Sequence, residues 1–301
     1  MELRHLIYFE AVARHEHVSK AALELMISQP AITKQLQDLE RELRGGPLFE
    51  RVGRRLRLTE AGRAFLAHTR TILAQVEAAR AEMRERGDLH GGRVGIGAPP
   101  TVSERLLPEV LRRFHRDYPE LELRVHEGST STLMTLLDSG EIELAVVTRP
   151  DSLRGLRVTE LFSEPLVVVV ERAHPLALAG RRSVTMAELA SEPFLLYSPG
   201  GYVREATLRA CREAGFLPRV VLDSGSMELL LRLAEAGLGL AVIPRLALKG
   251  DEQLAVIRLA EPVLGRTMVL VSREGRALSP AAQRLRDFLA ERLARPQRPE
   301  V

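Results

Sequence analysis

The hydrophobic pattern of this chain changes its period near residue 90. Before that point apolar residues recur every three or four positions, which is typical of amphipathic helices. After the polar, glycine-rich stretch 87–92, short apolar runs alternate with helical patterns, which is typical of an α/β domain. The chain therefore predicts a largely helical N-terminal region followed by a larger α/β region.

Size and composition narrow the class of protein. The chain has 301 residues, enough for about two domains of ordinary size. Its formal net charge of +3 is too small to indicate a nucleic-acid partner by itself. Cys211 is its only cysteine, so no intramolecular disulfide and no cysteine-rich zinc site can form. The start of the chain lacks a signal-peptide pattern and no run reaches the ~18 apolar residues of a membrane span, so we expect a cytoplasmic protein without a membrane partner.

The first 46 residues predict three helices. Residues 3–14 have helical apolar spacing, Ser19 is predicted to cap a second helix, and Ser28 is predicted to cap a third. The third helix should stop at the glycine pair 45–46. Because only residues 26–28 link the second and third helices, the segment is a helix-turn-helix candidate.

A small hairpin, or wing, is predicted over residues 47–58. Its second half alternates polar and apolar side chains, and Gly53 marks the turn. Basic residues concentrate here, with Glu50 as the only acidic residue between 44 and 57. The arginines are Arg44, Arg51, Arg54, Arg55 and Arg57.

A long helix is predicted from Thr59, its cap, to about residue 86. Its narrow apolar stripe has almost heptad spacing and comprises Phe65, Ile72, Val76, Ala79 and Met83. Such a seam favours pairing with the same helix of a second copy. The alternative is a helix that packs on its own domain.

Strands and helices alternate in the second region and predict a mostly parallel sheet. The strands are predicted at 93–97, 121–126, 144–148, 166–171, 194–197, 219–222, 239–243 and 267–272. The helices are predicted at 103–118, 131–139, 204–214, 227–236 and from 280 onward.

Several N-terminal segments together resemble the DNA-binding domain of LysR-type transcription regulators, and the similarity is collinear over about the first sixty residues. The matching segments are 3–9, Ala21-Ala22, 25–36, Leu39-Glu40, 48–51 and 58–62. The second region resembles the effector domain of that family more loosely, at 140–145, Pro175-Leu176 and 237–244. Two departures are His17, where the family usually has a small hydroxyl residue, and one extra residue around 44–46.

The resemblance implies a domain layout. Residues 1–58 would form an all-α winged helix-turn-helix domain and residues 59–88 a linker and dimerisation helix. Residues 91–295 would form an α/β effector domain of the periplasmic-binding-protein type with two Rossmann-like subdomains, followed by a disordered tail at 296–301. Subdomain I would comprise 91–163 and 266–295, and subdomain II would comprise 164–265.

A recognition helix presents its N-terminal residues to base edges in the major groove. The resemblance places Ser28, Gln29, Pro30, Ala31, Thr33 and Lys34 there. Gln29 can pair with adenine and Lys34 with guanine, whereas Arg51, Arg54 and Arg55 of the wing suit phosphates or a narrow minor groove. For any of these residues taken alone, the alternative is an ordinary solvated surface position.

Small-molecule ligands of open α/β sheets bind beyond the carboxyl ends of the strands, where helix N-termini suit anions. We therefore predict a site for a small, anionic effector, with no cofactor and no metal. Its candidate residues are Thr101, Ser103, Ser129, Thr130, Thr148, Ser198, Tyr202, Arg204 and Ser226. The alternative for each Ser and Thr is a plain helix cap.

The resemblance also implies partners: double-stranded DNA with an interrupted inverted repeat, further copies of this chain in dimers and tetramers, and RNA polymerase. Two other classes stay open, a secreted solute-binding protein and an architectural DNA-binding protein.

The enzymatic motifs that the sequence suggests are incomplete. Pro100 interrupts a dinucleotide-binding glycine pattern, and Ser19 replaces the second histidine of a zinc-protease pattern. Redox sensing is disfavoured because Cys211 has no partner cysteine.

Overall fold

The structure is a computed structural model that describes residues 1–52, 55–85 and 92–294. It forms two compact units. One comprises the described residues of Met1–Leu89 with Leu136–Glu141 and Arg276–Pro280, and the other comprises the described remainder of the chain. The predicted turn at Gly53 and Arg54, the boundary near 86–91 and the predicted disordered tail lie outside the described residues.

The N-terminal region consists of three short helices, a hairpin and a long helix. These elements are α1 (Leu3–His15), α2 (Val18–Leu25), α3 (Gln29–Leu43), β1 (Phe49–Val52), β2 (Arg55–Leu58) and α4 (Glu60–Glu85). Strands β1 and β2 are antiparallel, with Phe49 opposite Leu58 and Arg51 opposite Leu56. The predicted helices and wing are therefore present.

Two predicted helix ends are wrong in detail. Helix α2 begins at Val18 with His17 at its N-cap, so Ser19 lies inside the first turn and does not cap it. Helix α3 stops at Leu43, because Arg44 adopts a left-handed conformation with φ of 54° before the glycines are reached. Ser28 stands at the N-cap of α3 as predicted, but its side chain makes no capping hydrogen bond.

A single apolar cluster holds α1, α2, α3 and the hairpin together. Phe9 is fully buried at its centre, with ring centroids 5.3 Å from Phe49 and 5.1 Å from Phe65. Burying one such side chain stabilises the fold by about 1.5–3 kcal/mol. Gly62 is required beside this core, because a Cβ there would lie 2.1 Å from the carbonyl oxygen of Leu48.

Thr59 caps α4 as predicted, since its Oγ1 accepts a hydrogen bond of 3.0 Å from the amide of Gly62. The predicted seam of α4 is divided between two environments. Phe65 packs into the core of the N-terminal region, whereas Ile72 and Ala79 are exposed. The side chain of Met83 lies outside the described residues. Pairing of α4 with a second copy stays a prediction.

The second region is an α/β fold with mixed sheet. Its helices are α5 (Pro100–Arg105), α6 (Leu107–Asp117), α7 (Thr130–Ser139), α8 (Pro175–Leu178), α9 (Tyr202–Glu213), α10 (Met227–Glu235) and α11 (Pro280–Leu293). Its strands are β3 (Gly92–Ala98), β4 (Leu121–Glu127), β5 (Leu144–Thr148), β6 (Leu156–Glu171), β7 (Ser183–Thr185), β8 (Pro193–Tyr197), β9 (Arg219–Ser224), β10 (Leu240–Pro244), β11 (Leu254–Glu261) and β12 (Gly265–Arg273). Short 3₁₀ turns occupy Ala187–Leu189 and Arg245–Ala247.

The strand order is β4-β3-β5-β12-β6-β10-β8-β9, with β11 between β6 and β7. Strands β3, β4 and β5 are parallel to one another, as are β8, β9 and β10. The expectation of a mostly parallel sheet is wrong for the central strands, because β6 and β12 run antiparallel to all their neighbours. These two strands carry the chain into the second half and back, and the predicted subdomain boundaries fall on them.

Two further sequence expectations change. The helix predicted at 103–118 is two helices that break at Leu106, because Pro108 has no amide proton to donate to the carbonyl oxygen four residues earlier. The strand predicted at 166–171 begins at Leu156, so β6 is 16 residues long and was predicted only in its apolar second half. Strands β7 and β11 and helix α8 were not predicted.

Candidate functional site: the first turn of α3 and an interstrand cleft

The predicted base-reading residues share one exposed face at the N-terminus of α3, which we call the first-turn face. It comprises Ser28, Gln29, Pro30, Ala31, Thr33 and Lys34, all of which are exposed. On the opposite side of the helix Ile32, Leu36 and Leu39 are buried in the core. The helical period thus separates a buried stripe from a polar face that is open to a large partner.

Neighbouring hydroxyl groups hold Gln29. The hydroxyl of Ser19 on α2 donates a hydrogen bond of 2.8 Å to Gln29 Oε1. The hydroxyl of Thr33 donates one of 3.0 Å to the Gln29 carbonyl oxygen. Gln29 keeps its side-chain NH₂ group for a partner, because its oxygen is the atom that accepts from Ser19. Sequence reasoning assigned Ser19 to a helix cap and missed this positioning role.

The wing of this domain, formed by β1 and β2, carries positive charge. Arg51 on β1 and Arg57 on β2 are exposed. Arg54 lies outside the described residues, as does the side chain of Arg55. The predicted phosphate-binding set is therefore placed only in part.

A cleft of about 330 Å³ lies within the second compact unit, at the carboxyl ends of its parallel strands. Six predicted effector residues line it: Thr101, Ser129, Thr130, Thr148, Ser198 and Tyr202. They come from the ends of β4, β5 and β8 and from the first turns of α5, α7 and α9. Because parallel strands end at the same sheet edge, residues far apart in sequence meet there.

Three predicted effector residues do not line this cleft. Ser103 lies inside α5, and its hydroxyl donates to the carbonyl oxygen of Ala98 at 3.5 Å. Arg204 forms an ion pair with Asp223 and donates to the Tyr197 carbonyl oxygen at 2.9 Å. Ser226 caps α10. Their assignment to an effector site rests on sequence alone.

A buried ion pair at the cleft was missed by sequence reasoning. The Arg266 side chain is 4% exposed and that of Glu164 is 8% exposed, and Arg266 Nη2 lies 2.7 Å from Glu164 Oε1. Arg266 Nη2 also donates a hydrogen bond of 2.8 Å to Thr101 Oγ1, and Glu164 Oε2 accepts one of 2.7 Å from the amide of Leu246. This Arg266–Glu164 network joins α5, β6, β12 and the turn after β10.

Two family models match this chain, one in each region. The family described as "Bacterial regulatory helix-turn-helix protein, lysR family" matches residues 3–63, and the family described as "LysR substrate binding domain" matches residues 87–294. This chain belongs to the LysR family. It is a DNA-binding transcription regulator with an effector-binding domain.

Three relatives show how far the similarity extends. The hydrogen peroxide-inducible genes activator of Pectobacterium carotovorum subsp. carotovorum is 31% identical over 296 residues, which are 97% of each chain. A full-length OxyR variant from Pseudomonas aeruginosa has a TM-score of 0.76 at 26% identity, covering 100% of this chain and 99% of that one. CbnR, solved in complex with its target DNA, has a TM-score of 0.67 at 26% identity, covering 97% and 99%.

The cleft of this LysR-type regulator is not uniformly positive. Glu127 lines it together with Arg266, whose charge Glu164 balances. Burial, and to a lesser degree the charges of Glu104 and Glu127, raise the pKa of the Tyr197 hydroxyl above its ordinary value. Tyr197 is therefore a neutral hydrogen-bond donor at physiological pH. The cleft therefore offers hydroxyl donors, one guanidinium and one carboxylate.

The single thiol of this LysR-type regulator is far from being a reactive group. Cys211 is fully buried on α9, and its sulfur lies 3.6 Å from that of Met186. Burial raises the pKa of the thiol to about 11. Cys211 does not line the cleft.

No helix in the described parts of the chain is long and apolar enough to cross a membrane.

Proposed function

We propose that this regulator reads DNA sequence with the first-turn face of α3. Gln29 would pair with adenine, Lys34 would donate to guanine, and Pro30 or Ala31 would contact a thymine methyl group. The exposure of this face and the hydrogen bond from Ser19 to Gln29 support the assignment. Ser28 and Thr33, at the same end of the helix, would contact bases or phosphates.

The wing would fix the register of the protein on the duplex. Arg51, Arg54 and Arg55 would bind phosphates or enter the narrow minor groove, because guanidinium groups suit both. Arg51 is exposed on β1 and can reach a partner. These contacts would supply affinity for all sequences and would weaken as salt increases.

The proposed DNA target is an interrupted inverted repeat, read by two copies of the chain. The exposed Ile72 and Ala79 on α4 are available for a helix-helix contact between copies. Dimers would associate into tetramers through the effector domains, and the bound assembly would act on RNA polymerase. Since bacterial DNA and RNA polymerase lie in the cytoplasm, that is the compartment in which the protein would act, and no catalytic step is assigned to it.

The effector would be a small anion bound in the cleft with its carboxylate toward Thr101, Thr130 and Arg266. Thr130 opens α7, whose N-terminus carries partial positive charge. Glu127 also lines the cleft and would repel a second negative group on the ligand. The observation that carries this proposal is the buried Arg266 guanidinium, which reaches the cleft and bonds a cleft hydroxyl.

A thiol-based peroxide response is disfavoured, although several relatives are named for hydrogen peroxide. Thiol oxidation proceeds through the thiolate, and the buried Cys211 stays protonated at physiological pH. We expect millimolar hydrogen peroxide to leave DNA affinity unchanged, and a peroxide-dependent affinity that is lost in Cys211→Ala would overturn this view.

The experiment for DNA reading is a footprinting titration on the DNA upstream of the protein's own gene at two salt concentrations. We expect a discrete protected region with approximate two-fold symmetry. Diffuse, salt-sensitive protection of every sequence tested would instead favour an architectural DNA-binding protein.

The experiment for sensing is a thermal-shift screen of small carboxylates, each paired with its uncharged amide isostere. A ligand at a hundred times its Kd stabilises the folded state by about 2.7 kcal/mol. We expect carboxylates to stabilise the wild type more than amides do, and the preference to vanish in the double variant Arg266→Met/Glu164→Gln. Equal shifts for carboxylates and amides would refute the anionic effector while leaving DNA reading untouched.

A further inference from the structure

The protein uses only part of the hydrogen-bonding capacity of two buried hydroxyls in the cleft. Thr101 is 6% exposed, and its Oγ1 accepts from Arg266, so its own proton has no acceptor among the described residues. Thr148 is 7% exposed, and among the described residues its hydroxyl donates only to the weakly accepting sulfur of Met268, at 3.8 Å. Because buried polar groups are nearly always hydrogen-bonded, these hydroxyls indicate a ligand with an acceptor group, such as a carboxylate.

Glu127 gives the same cleft a negative charge that the protein does not balance. It lies at the carboxyl end of β4, and its carboxylate makes no hydrogen bond or ion pair with any residue that the structure describes. Among the described residues that line the cleft, Glu127 and Arg266 are the charged ones. Since Glu164 lies 2.7 Å from Arg266 and neutralises it, the cleft lining keeps one uncompensated negative charge.

An aromatic ring lies within electrostatic reach of this carboxylate. Burial is the main cause of the raised pKa of the Tyr197 hydroxyl, and the negative charges of Glu104 and Glu127 add to it. Tyr197 also lines the cleft, so its ring and the Glu127 carboxylate belong to one binding surface. The face of a tyrosine ring attracts cations. A ligand cation near Glu127 would therefore meet both an anion and a ring.

A simple anion and a simple amine would each leave part of the cleft unsatisfied. A carboxylate without a cationic group would use the hydroxyls of Thr101 and Thr148 but would be repelled by Glu127. A simple amine would neutralise Glu127 but would leave both buried hydroxyls without an acceptor. A ligand that carries both groups satisfies all three side chains.

We propose that the effector is a small amino acid, a molecule with one carboxylate and one protonated amine. The ammonium group binds the carboxylate of Glu127, with the Tyr197 ring beside it. The ligand carboxylate accepts hydrogen bonds from the hydroxyls of Thr101 and Thr148. This inference rests on the proposed function, because it keeps the effector's carboxylate at Thr101 and adds the ammonium group. Glu127 is then the residue that selects for the amine.

The test compares pentanoate with the aminopentanoates that carry the ammonium group on C2, C3, C4 or C5. The set covers different spacings between the two charged groups on one carbon chain, and pentylamine is the counterpart without a carboxylate. NMR titrations of the full chain give the Kd of each probe for the wild type and for Glu127→Gln. Glu120→Gln is the matched control, because it removes an exposed glutamate outside the cleft lining.

We expect at least one aminopentanoate to bind the wild type about tenfold more tightly than pentanoate, because hydrogen bonds between charged groups are strong. Glu127→Gln should remove this preference by two changes in opposite directions. It should weaken binding of that aminopentanoate, whose ammonium group loses its partner, and strengthen binding of pentanoate, whose repulsion is relieved. Glu120→Gln should leave both Kd values unchanged.

The possible failures separate this inference from the proposed function. If pentanoate binds as tightly as every aminopentanoate, the amino-acid effector is refuted and the carboxylate effector stands. If pentylamine binds as tightly as the best aminopentanoate, the ligand carboxylate contributes nothing and both proposals fail. No binding of any probe would refute the inference, and the separate carboxylate screen would decide the proposed function. A preference for the aminopentanoate that survives in Glu127→Gln, or is lost equally in Glu120→Gln, would also overturn the inference.

Discussion

The first-turn face of α3 comes from consecutive residues of one helix, whereas the cleft is assembled from segments spread over residues 99–266. Helical spacing places the residues of the face side by side before any tertiary contact forms. The cleft residues meet only when the sheet has its final strand order. Substitutions in the first-turn face should therefore leave the fold intact. The cleft, in contrast, depends on the Arg266–Glu164 network that supports it.

The largest effect should come from removing Arg266 from the cleft network. Arg266→Met leaves Glu164 buried without its partner and should lower the free energy of unfolding by about 3–5 kcal/mol. The double variant Arg266→Met/Glu164→Gln removes both charges and should recover most of that loss. Urea unfolding measures both.

The control for this prediction is Arg149→Met, which breaks an ion pair with Glu160 in which both side chains are about half exposed. Exposed pairs contribute about 0–1 kcal/mol. Equal losses of unfolding free energy in Arg266→Met and Arg149→Met would contradict the prediction. They would show that the cleft does not depend on the Arg266–Glu164 network.

Gln29→Ala on the first-turn face should reduce discrimination at one base pair by about 1–3 kcal/mol. The fold should be unaffected, because Gln29 is exposed. The measurement compares affinity for the footprinted site and for single-base variants of it. Gln37→Ala, an exposed glutamine later on α3, is the matched control and should preserve specificity. A Gln29 variant with wild-type base preference would remove the residue from the reading set.

Arg51→Ala should weaken binding to all DNA sequences alike, because a phosphate contact carries no sequence information. The slope of log affinity against log salt should become shallower by about one unit. Arg212→Ala, an exposed arginine on α9, is the control and should leave the slope unchanged. A sequence-dependent loss in Arg51→Ala would mean that the wing reads bases.

The smallest effect concerns the thiol. Burial raises the pKa of the Cys211 thiol to about 11, whereas the thiol of the unfolded chain has a pKa of about 8.5. The folded protein therefore holds the thiol proton more tightly than the unfolded chain does. That contribution to stability is complete below pH about 8.5 and is lost as pH rises through about 11. Labelling of the native protein by a chromogenic disulfide reagent should therefore be slow at neutral pH and rapid only in denaturant. Fast native labelling would show that the α9 core opens readily.

Sequence by itself determined the N-terminal domain and the family. Ser28 and Pro30 at the start of α3, the apolar stripe of Ile32, Leu36 and Leu39, and the Thr59 cap of α4 are local signals, and each predicted its element. Local alternation of strands and helices also brought Thr101, Ser129 and Ser198 into one predicted site, because strand ends in a parallel sheet share an edge.

Tertiary structure alone decided the rest. Arg266 and Glu164 are directly opposite each other on β12 and β6, and no period in the sequence encodes the register of strands so far apart in the chain. Arg204 and Ser226 looked available for a ligand, but the fold provides them with Asp223 and the amide of Leu229 as partners. Backbone periodicity is a local property, whereas the partner of a polar side chain depends on which distant strand or helix packs beside it.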